Sequence, residues 1–112
     1  MSNCLFCRIA AGELPSDQVY SDDQVVVFRD IQPQAPVHLL MIPRKHIAGL
    51  NALTEEDSPL LAHMMQLLPK IAQQQGLNEG FRTVINTGRG GGQVVFHLHI
   101  HLLGSQSGLP GI

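Results

Sequence analysis

The stretch His97-Leu98-His99-Ile100-His101-Leu102-Leu103 alternates three imidazoles with apolar residues and ends on an aliphatic pair. On a strand, side chains at i, i+2 and i+4 share one face. The spacing therefore predicts a strand with the histidines in a row on one side and Leu98, Ile100 and Leu102 buried on the other. A helix would scatter the rings around its axis at ~100° per residue. One histidine on a strand is ordinarily only a polar surface residue. Three in register point to chemistry, because other polar residues would solvate that face equally well. Such a row suits metal ligation by imidazole, or a phosphoryl site using imidazole as nucleophile and donor.

The rest of the chain narrows the class. Its 112 residues suffice for one domain, 1–112, with a core of its own. Hydrophobic residues make up 44% and the net charge is -2, which argues against a polyanion-binding surface and hence against nucleic acid as a partner. No apolar run approaches the ~20 residues that span a bilayer, and no basic segment followed by an apolar stretch opens the chain. The expectation is a cytoplasmic protein with no membrane partner. Cys4 and Cys7 are the only cysteines, too few for a disulfide framework. Their C-x-x-C spacing is compatible with a redox pair, half of a metal site, or neither.

Outward from the histidine stretch, Gly88-Arg89-Gly90-Gly91-Gly92 form a glycine-rich loop, of the kind that lets backbone approach an anion closely. Phe81 to Asn86 alternate as a strand, and Val94 leads into the histidine strand. Leu60, Leu61, Met64, Met65, Leu67, Leu68, Ile71 and Ala72 recur at helical spacing, after a start at Thr54-Glu55-Glu56-Asp57 or Ser58-Pro59 and before a stop near Gly76. Pro69 inside that helix predicts a kink, since it cannot donate to the Met65 carbonyl. His63 falls on the helix's polar edge and reads as solvated. Val37 to Ile42 form a strand, preceded by a loop stiffened by Pro33 and Pro36. Val19-Tyr20 and Val25 to Asp30 form a hairpin, and Leu5, Phe6, Ile9 and Ala10 mark a short N-terminal helix ending at Gly12. Hairpin-like connections and one long helix predict an α+β fold, a five-stranded antiparallel sheet with one long and one short helix.

His97-Leu98-His99-Ile100-His101-Leu102-Leu103 resembles the signature of the histidine triad (HIT) superfamily, His-x-His-x-His followed by two apolar residues. Gly91-Gly92-Gln93-Val94-Val95-Phe96 before it, and Asp30-Ile31-Gln32-Pro33-Gln34-Ala35-Pro36-Val37-His38 upstream, are similar to the histidine triad nucleotide-binding branch. The match runs from Phe6 to Gly104. The resemblance implies a HIT-like fold in a homodimer that hydrolyses purine nucleoside phosphoramidates or related adenylate conjugates. It implies His99 as the nucleophile that forms a nucleotidyl-histidine, His101 as the phosphate contact and His38 as the histidine completing the site. Asp30 would bind the ribose hydroxyls, and Asn86 with the backbone of Gly92 and Gln93 would donate to the phosphate. Phe6, Ile9, Leu14, Phe28 and Ile31 would line the base pocket. Val94 stands where many relatives carry a serine or another polar residue, so this chain has no side-chain donor there. Bacterial relatives of this kind bind zinc, and the positions carrying their ligands are Cys4, Cys7, His46 and His97. A Cys2His2 set closes a tetrahedral Zn2+ site, which is structural, and the reaction needs no cofactor. Related readings are cleavage of diadenosine polyphosphates, nucleotidyl transfer, and a nucleotide-binding scaffold with little turnover.

Overall fold

The computed structural model describes residues 3–112. Cys4 begins the short helix α1 (Leu5–Ala10), its sulfur accepting the Cys7 N–H at 3.4 Å. Strands β1 (Gln18–Ser21) and β2 (Val25–Arg29) form the expected hairpin, and β3 (Val37–Pro43) follows. A single 3-10 turn, Glu55–Asp57, leads directly into α2 (Ser58–Gln74). Both start signals are used in series. Thr54 and Asp57 cap each other across the turn, and Pro59 sits in the first turn of α2, where its missing N–H costs nothing. Two last strands, β4 (Arg82–Val84) and β5 (Ile100–Gly104), complete a five-stranded antiparallel sheet in the order β1-β2-β3-β5-β4.

The sheet is covered on both faces, which explains why β2 and β3 read as continuous apolar runs. Val25, Val27, Leu39 and Met41 face α2 and pack with Met64, Leu67, Leu68 and Ile71. Their neighbours Val26, Phe28, Leu40 and Ile42 pack under Phe6 and Ile9 of α1. A slip of one residue would exchange the two sets, so the strand register is strongly specified. In that register Leu40 pairs with His101 and His38 with Leu103, which makes His38 and His101 diagonal neighbours on the α1 face.

Three expectations change. The histidine stretch is not one strand: β5 begins at Ile100, and His97, Leu98 and His99 lie in irregular backbone ahead of it. Leu98 still enters the α2 core beside Ile100 and Leu102, as the alternation requires. The strand expected over Phe81–Asn86 shortens to Arg82–Val84. His63 is half-buried rather than solvated, its Nε2 2.7 Å from Asp22 Oδ2, and so ties α2 to the β1–β2 turn. Helix α2 continues through Pro69 to Gln74, with Pro69 and Met65 both on its exposed side. Among the described residues no helix is long and apolar enough to cross a membrane.

Candidate active site and metal centre

The irregular backbone before β5 separates the three histidines. The ring of His97, fully buried, turns towards the start of α1 and away from the other two. Its Nε2 lies 2.7 Å from the Pro43 carbonyl, which can only accept, so Nε2 carries the proton and Nδ1 is left with a lone pair. That Nδ1 lies 3.3 Å from Cys4 Sγ, 3.4 Å from Cys7 Sγ and 3.3 Å from His46 Nδ1. Cys7 Sγ is also 3.3 Å from His46 Nδ1. The four ligand atoms all lie within 4.8 Å of one another. Bond lengths of ~2.0–2.3 Å around tetrahedral zinc require ligand separations of roughly 3.3–3.8 Å, so this donor set fits such an ion. The bond from His97 Nε2–H to a carbonyl is the outer support that metal-bound imidazoles ordinarily have. Burial pushes the His97 imidazole below its ordinary pKa; the Pro43 bond opposes this, while His46 and His99 add to it.

Several contacts bring His46 to this point. The Leu98 N–H donates to the Ile47 carbonyl at 2.6 Å, joining the His46 loop to the histidine segment. Lys45 Nζ lies 2.6 Å from Asp57 Oδ1, and Asp57 is buried. The same carboxylate accepts from the Thr54 N–H at 3.0 Å, so the loop is anchored to the start of α2. The Lys45 bond holds the Asp57 carboxyl below its ordinary pKa.

His99 and His101 face the other way, into a cavity of about 670 Å³ between α1, the Asp30–Gln34 loop and the glycine loop. His99 Nδ1 lies 2.7 Å from the His97 carbonyl oxygen and must donate to it, which leaves Nε2 as a lone pair. Phe6 packs edge-on against the His99 ring, centroids 5.1 Å apart, and the His99 and His101 rings are also 5.1 Å apart. Beyond them, His101 Nδ1 is 2.9 Å from His38 Nε2, which is 3.4 Å from Asp30 Oδ2. Burial pushes His101 below its ordinary pKa, His99 and His38 push the same way, and Asp30 opposes them. The lowered pKa favours the neutral form of His101, which can donate from one ring nitrogen and accept at the other.

The cavity gathers most of the residues assigned from the resemblance. Phe6, Ile9, Leu14 and Phe28 form one apolar wall, and Ile31 stands at the rim, almost fully exposed. Asp30, Asn86 and Gly92 also line it. Gln93 does not. Its side chain is buried in the loop, donating to the carbonyls of Ala48 at 2.7 Å and Val95 at 3.0 Å and accepting from the Gly88 N–H at 2.9 Å. Nor are the N–H groups of Gly92 and Gln93 open to a phosphate. They donate to Arg89 and Gly88 carbonyls, both at 3.0 Å, closing a tight loop whose ends, Gly88 and Gly92, have φ of 71° and 82°. Other side chains at such φ would be strained. In this loop both amides are thus engaged with the loop's own carbonyls. Val94 lines the cavity and is 85% exposed, so an apolar surface faces the space beside the histidines. Ser16, Asp17, Arg29 and Gln34 also line the cavity. The sequence carried no signal for them, because they reach the site through the folding of loops around α1 and β2.

Comparison with known proteins agrees with this geometry. Residues 3–111 match the family model described as "Scavenger mRNA decapping enzyme C-term binding". The chain is 54% identical over 105 residues to protein HitA of Neisseria gonorrhoeae, covering 94% of this chain and 98% of that one. It is 48% identical over 103 residues to the purine nucleoside phosphoramidase of Escherichia coli K12, covering 91% and 87%. A crystal structure of a HIT family hydrolase from Legionella pneumophila superposes with a TM-score of 0.89 at 54% identity, over 91% of this chain and 92% of that one. The separated histidines, the cavity beside them and these matches together show that the chain belongs to the histidine triad superfamily.

Proposed function

We propose that this protein is a nucleotide hydrolase that cleaves purine nucleoside phosphoramidates, or related adenylate conjugates, through a nucleotidyl-His99 intermediate. The observation that carries the reading is the bond from His99 Nδ1–H to the His97 carbonyl at 2.7 Å, which leaves the Nε2 lone pair on a ring lining the cavity. The base fits the wall of Phe6, Ile9, Leu14 and Phe28, and the ribose hydroxyls meet Asp30. His99 Nε2 attacks the α-phosphorus and the P–N bond breaks, the amine leaving with a proton taken up from solvent. Water then attacks the nucleotidyl-histidine, giving the nucleoside monophosphate and regenerating neutral His99. His101 donates to a phosphoryl oxygen, and Asn86, 2.8 Å from the Gly91 carbonyl through Nδ2, braces the glycine loop beside it. The similarity to a purine nucleoside phosphoramidase supports this substrate class.

Cys4, Cys7, His46 and His97 are proposed to hold a structural zinc ion. Four protein ligands leave no open position for substrate, so the ion supplies stability by joining α1, the His46 loop and the histidine segment. The reading also takes residues 1–112 as one domain of a cytoplasmic homodimer. Strand β4 is an edge of the sheet, and an open edge is a template for pairing. Light scattering on the purified chain measures the oligomeric state.

The decisive experiment is acid quenching during turnover of adenosine 5′-phosphoramidate, followed by peptide mass spectrometry. An adenylyl group on His99 is the expected result. Turnover with the label elsewhere, or without any covalent species under single-turnover conditions, would sink the mechanism.

A further inference from the structure

The two ring nitrogens of His38 meet opposite kinds of group. Nδ1 lies 2.9 Å from the main-chain nitrogen of Gln34, whose N–H can only donate. Nδ1 is therefore an acceptor, and the neutral ring carries its one proton on Nε2. Nε2 lies 2.9 Å from His101 Nδ1 and 3.4 Å from Asp30 Oδ2, so the nearer acceptor is His101. Because His101 Nδ1 accepts, His101 carries its own proton on Nε2, on a ring that lines the cavity.

We propose that the main-chain N–H of Gln34 is a positioning group for the reaction: it selects the Nε2–H tautomer of His38 and, through it, the Nε2–H tautomer of His101 that donates to the phosphoryl group. The proposal rests on the nucleotidyl-transfer reading of the cavity. The Gln34 donor is built into a stiff loop. Pro33 and Pro36 fix their own φ angles, and Asp30 Oδ1 accepts the Gln32 N–H at 2.8 Å where the loop begins. The Gln34 side chain reaches back to the Gln32 carbonyl at 3.3 Å. The donor is thus a main-chain group, whose direction is set by the loop rather than by a rotamer.

The same contact sorts two clusters that look alike. Asp30, His38 and His101 offer ligand atoms within 4.8 Å of one another, as the cysteine-containing group does. A metal-bound imidazole gives its second ring N–H to an acceptor. His97 does so through Pro43. His38 faces a donor instead, so its Nε2 keeps a proton and does not ligate. One cluster suits a metal and the other a chain of hydrogen bonds.

Nitrogen-15 NMR of the histidine-labelled full-length chain reads the tautomers directly. The expected spectrum has an unprotonated Nδ1 and a protonated Nε2 on both His38 and His101; a protonated Nδ1 on His38 would overturn the proposal without any variant. Gln34→Pro removes the N–H and is expected to mix the His38 tautomers and lower kcat about tenfold with little change in KM. Gln34→Ala, which keeps the N–H, is expected to keep the wild-type tautomers. His38→Gln, whose amide can still donate to His101, should preserve the His101 tautomer, and His38→Ala should lose it. Wild-type tautomers in Gln34→Pro would overturn the selecting role. Trapping of adenylyl-His99 in the same samples separates the two readings. The expected tautomers without any adenylyl-His99 would overturn the reaction and, with it, the positioning role, whereas adenylyl-His99 beside a protonated His38 Nδ1 overturns the relay alone.

Discussion

The carbonyl oxygen of His97 accepts the Nδ1–H of His99 at 2.7 Å, while the ring of His97 points into the Cys4, Cys7 and His46 cluster. One residue thus serves two sites. Its side chain belongs to the cluster proposed to hold zinc, and its backbone orients the proposed nucleophile. The row of three imidazoles is divided at this residue because the segment before Ile100 leaves strand geometry.

Replacing His99 by glycine or alanine removes the proposed attacking nitrogen and leaves the apolar wall and Asp30 in place. Hydrolysis of adenosine phosphoramidate is expected to fall by roughly 10⁴-fold or more. Adenosine monophosphate affinity, measured by calorimetry, should change by only a few-fold. A parallel comparison of rates on a diadenosine polyphosphate tests the substrate class, and a faster rate on the polyphosphate would reassign it.

Elemental analysis of the purified protein should give about one zinc per chain, and Cys4→Ser or Cys7→Ser should lower that content. Loss of the ion should lower Tm by roughly 10 °C, since each kcal/mol lost shifts a domain of this size by about 4–8 °C. Activity assayed immediately after chelation at low temperature should persist, because the proposed steps use only His99, His101 and water. Unchanged Tm and zinc content in both variants would remove the metal assignment.

Asp22 joins three elements. Burial alone would raise its pKa, but bonds from the Gln24 N–H, His63, Tyr20 and the Val25 N–H prevail and hold it at about 2, against an ordinary 3.8. A carboxyl depressed on folding stabilises the native state above its unfolded pKa, and that stability is lost as pH falls through the folded value. Asp22→Asn is therefore expected to cost about 1–2 kcal/mol near pH 6, after allowance for solvent screening. The difference from wild type should shrink as pH falls towards and through 2, as followed by urea unfolding at several pH values.

Gly104 closes β5 against the core with no room for a side chain. A Cβ there would meet Leu77 Cδ1 and lie 2.6 Å from Cδ2 and 3.0 Å from Cγ, and Leu77 is itself buried. Gly104→Ala is expected to destabilise by about 1–3 kcal/mol. In a double-mutant cycle, Leu77→Ala should make the second substitution less costly than it is alone.

The sequence by itself determined the element order, the antiparallel sheet and the buried faces, because apolar periodicity reports directly which side of a strand or helix must leave water. The histidine stretch and its flanking segments also carried a pattern that pointed to Asp30, His38, Asn86, His99 and His101, which line the cavity, and to Cys4, Cys7, His46 and His97, which cluster apart from it. The resemblance already set His97 apart from His99 and His101, but only the tertiary structure supplied the backbone path by which neighbouring rings part. Whether His97 shares a face with His99 depends on the backbone ahead of Ile100, and that path is set by long-range bonds to Pro43 and Ile47. The commitment of the Gln93 side chain to Ala48, and the selection of the His38 tautomer by the Gln34 N–H, are likewise hydrogen bonds whose partners come together only when the loops close. Residue types can announce donors and acceptors, but which of them meet is a property of the folded chain.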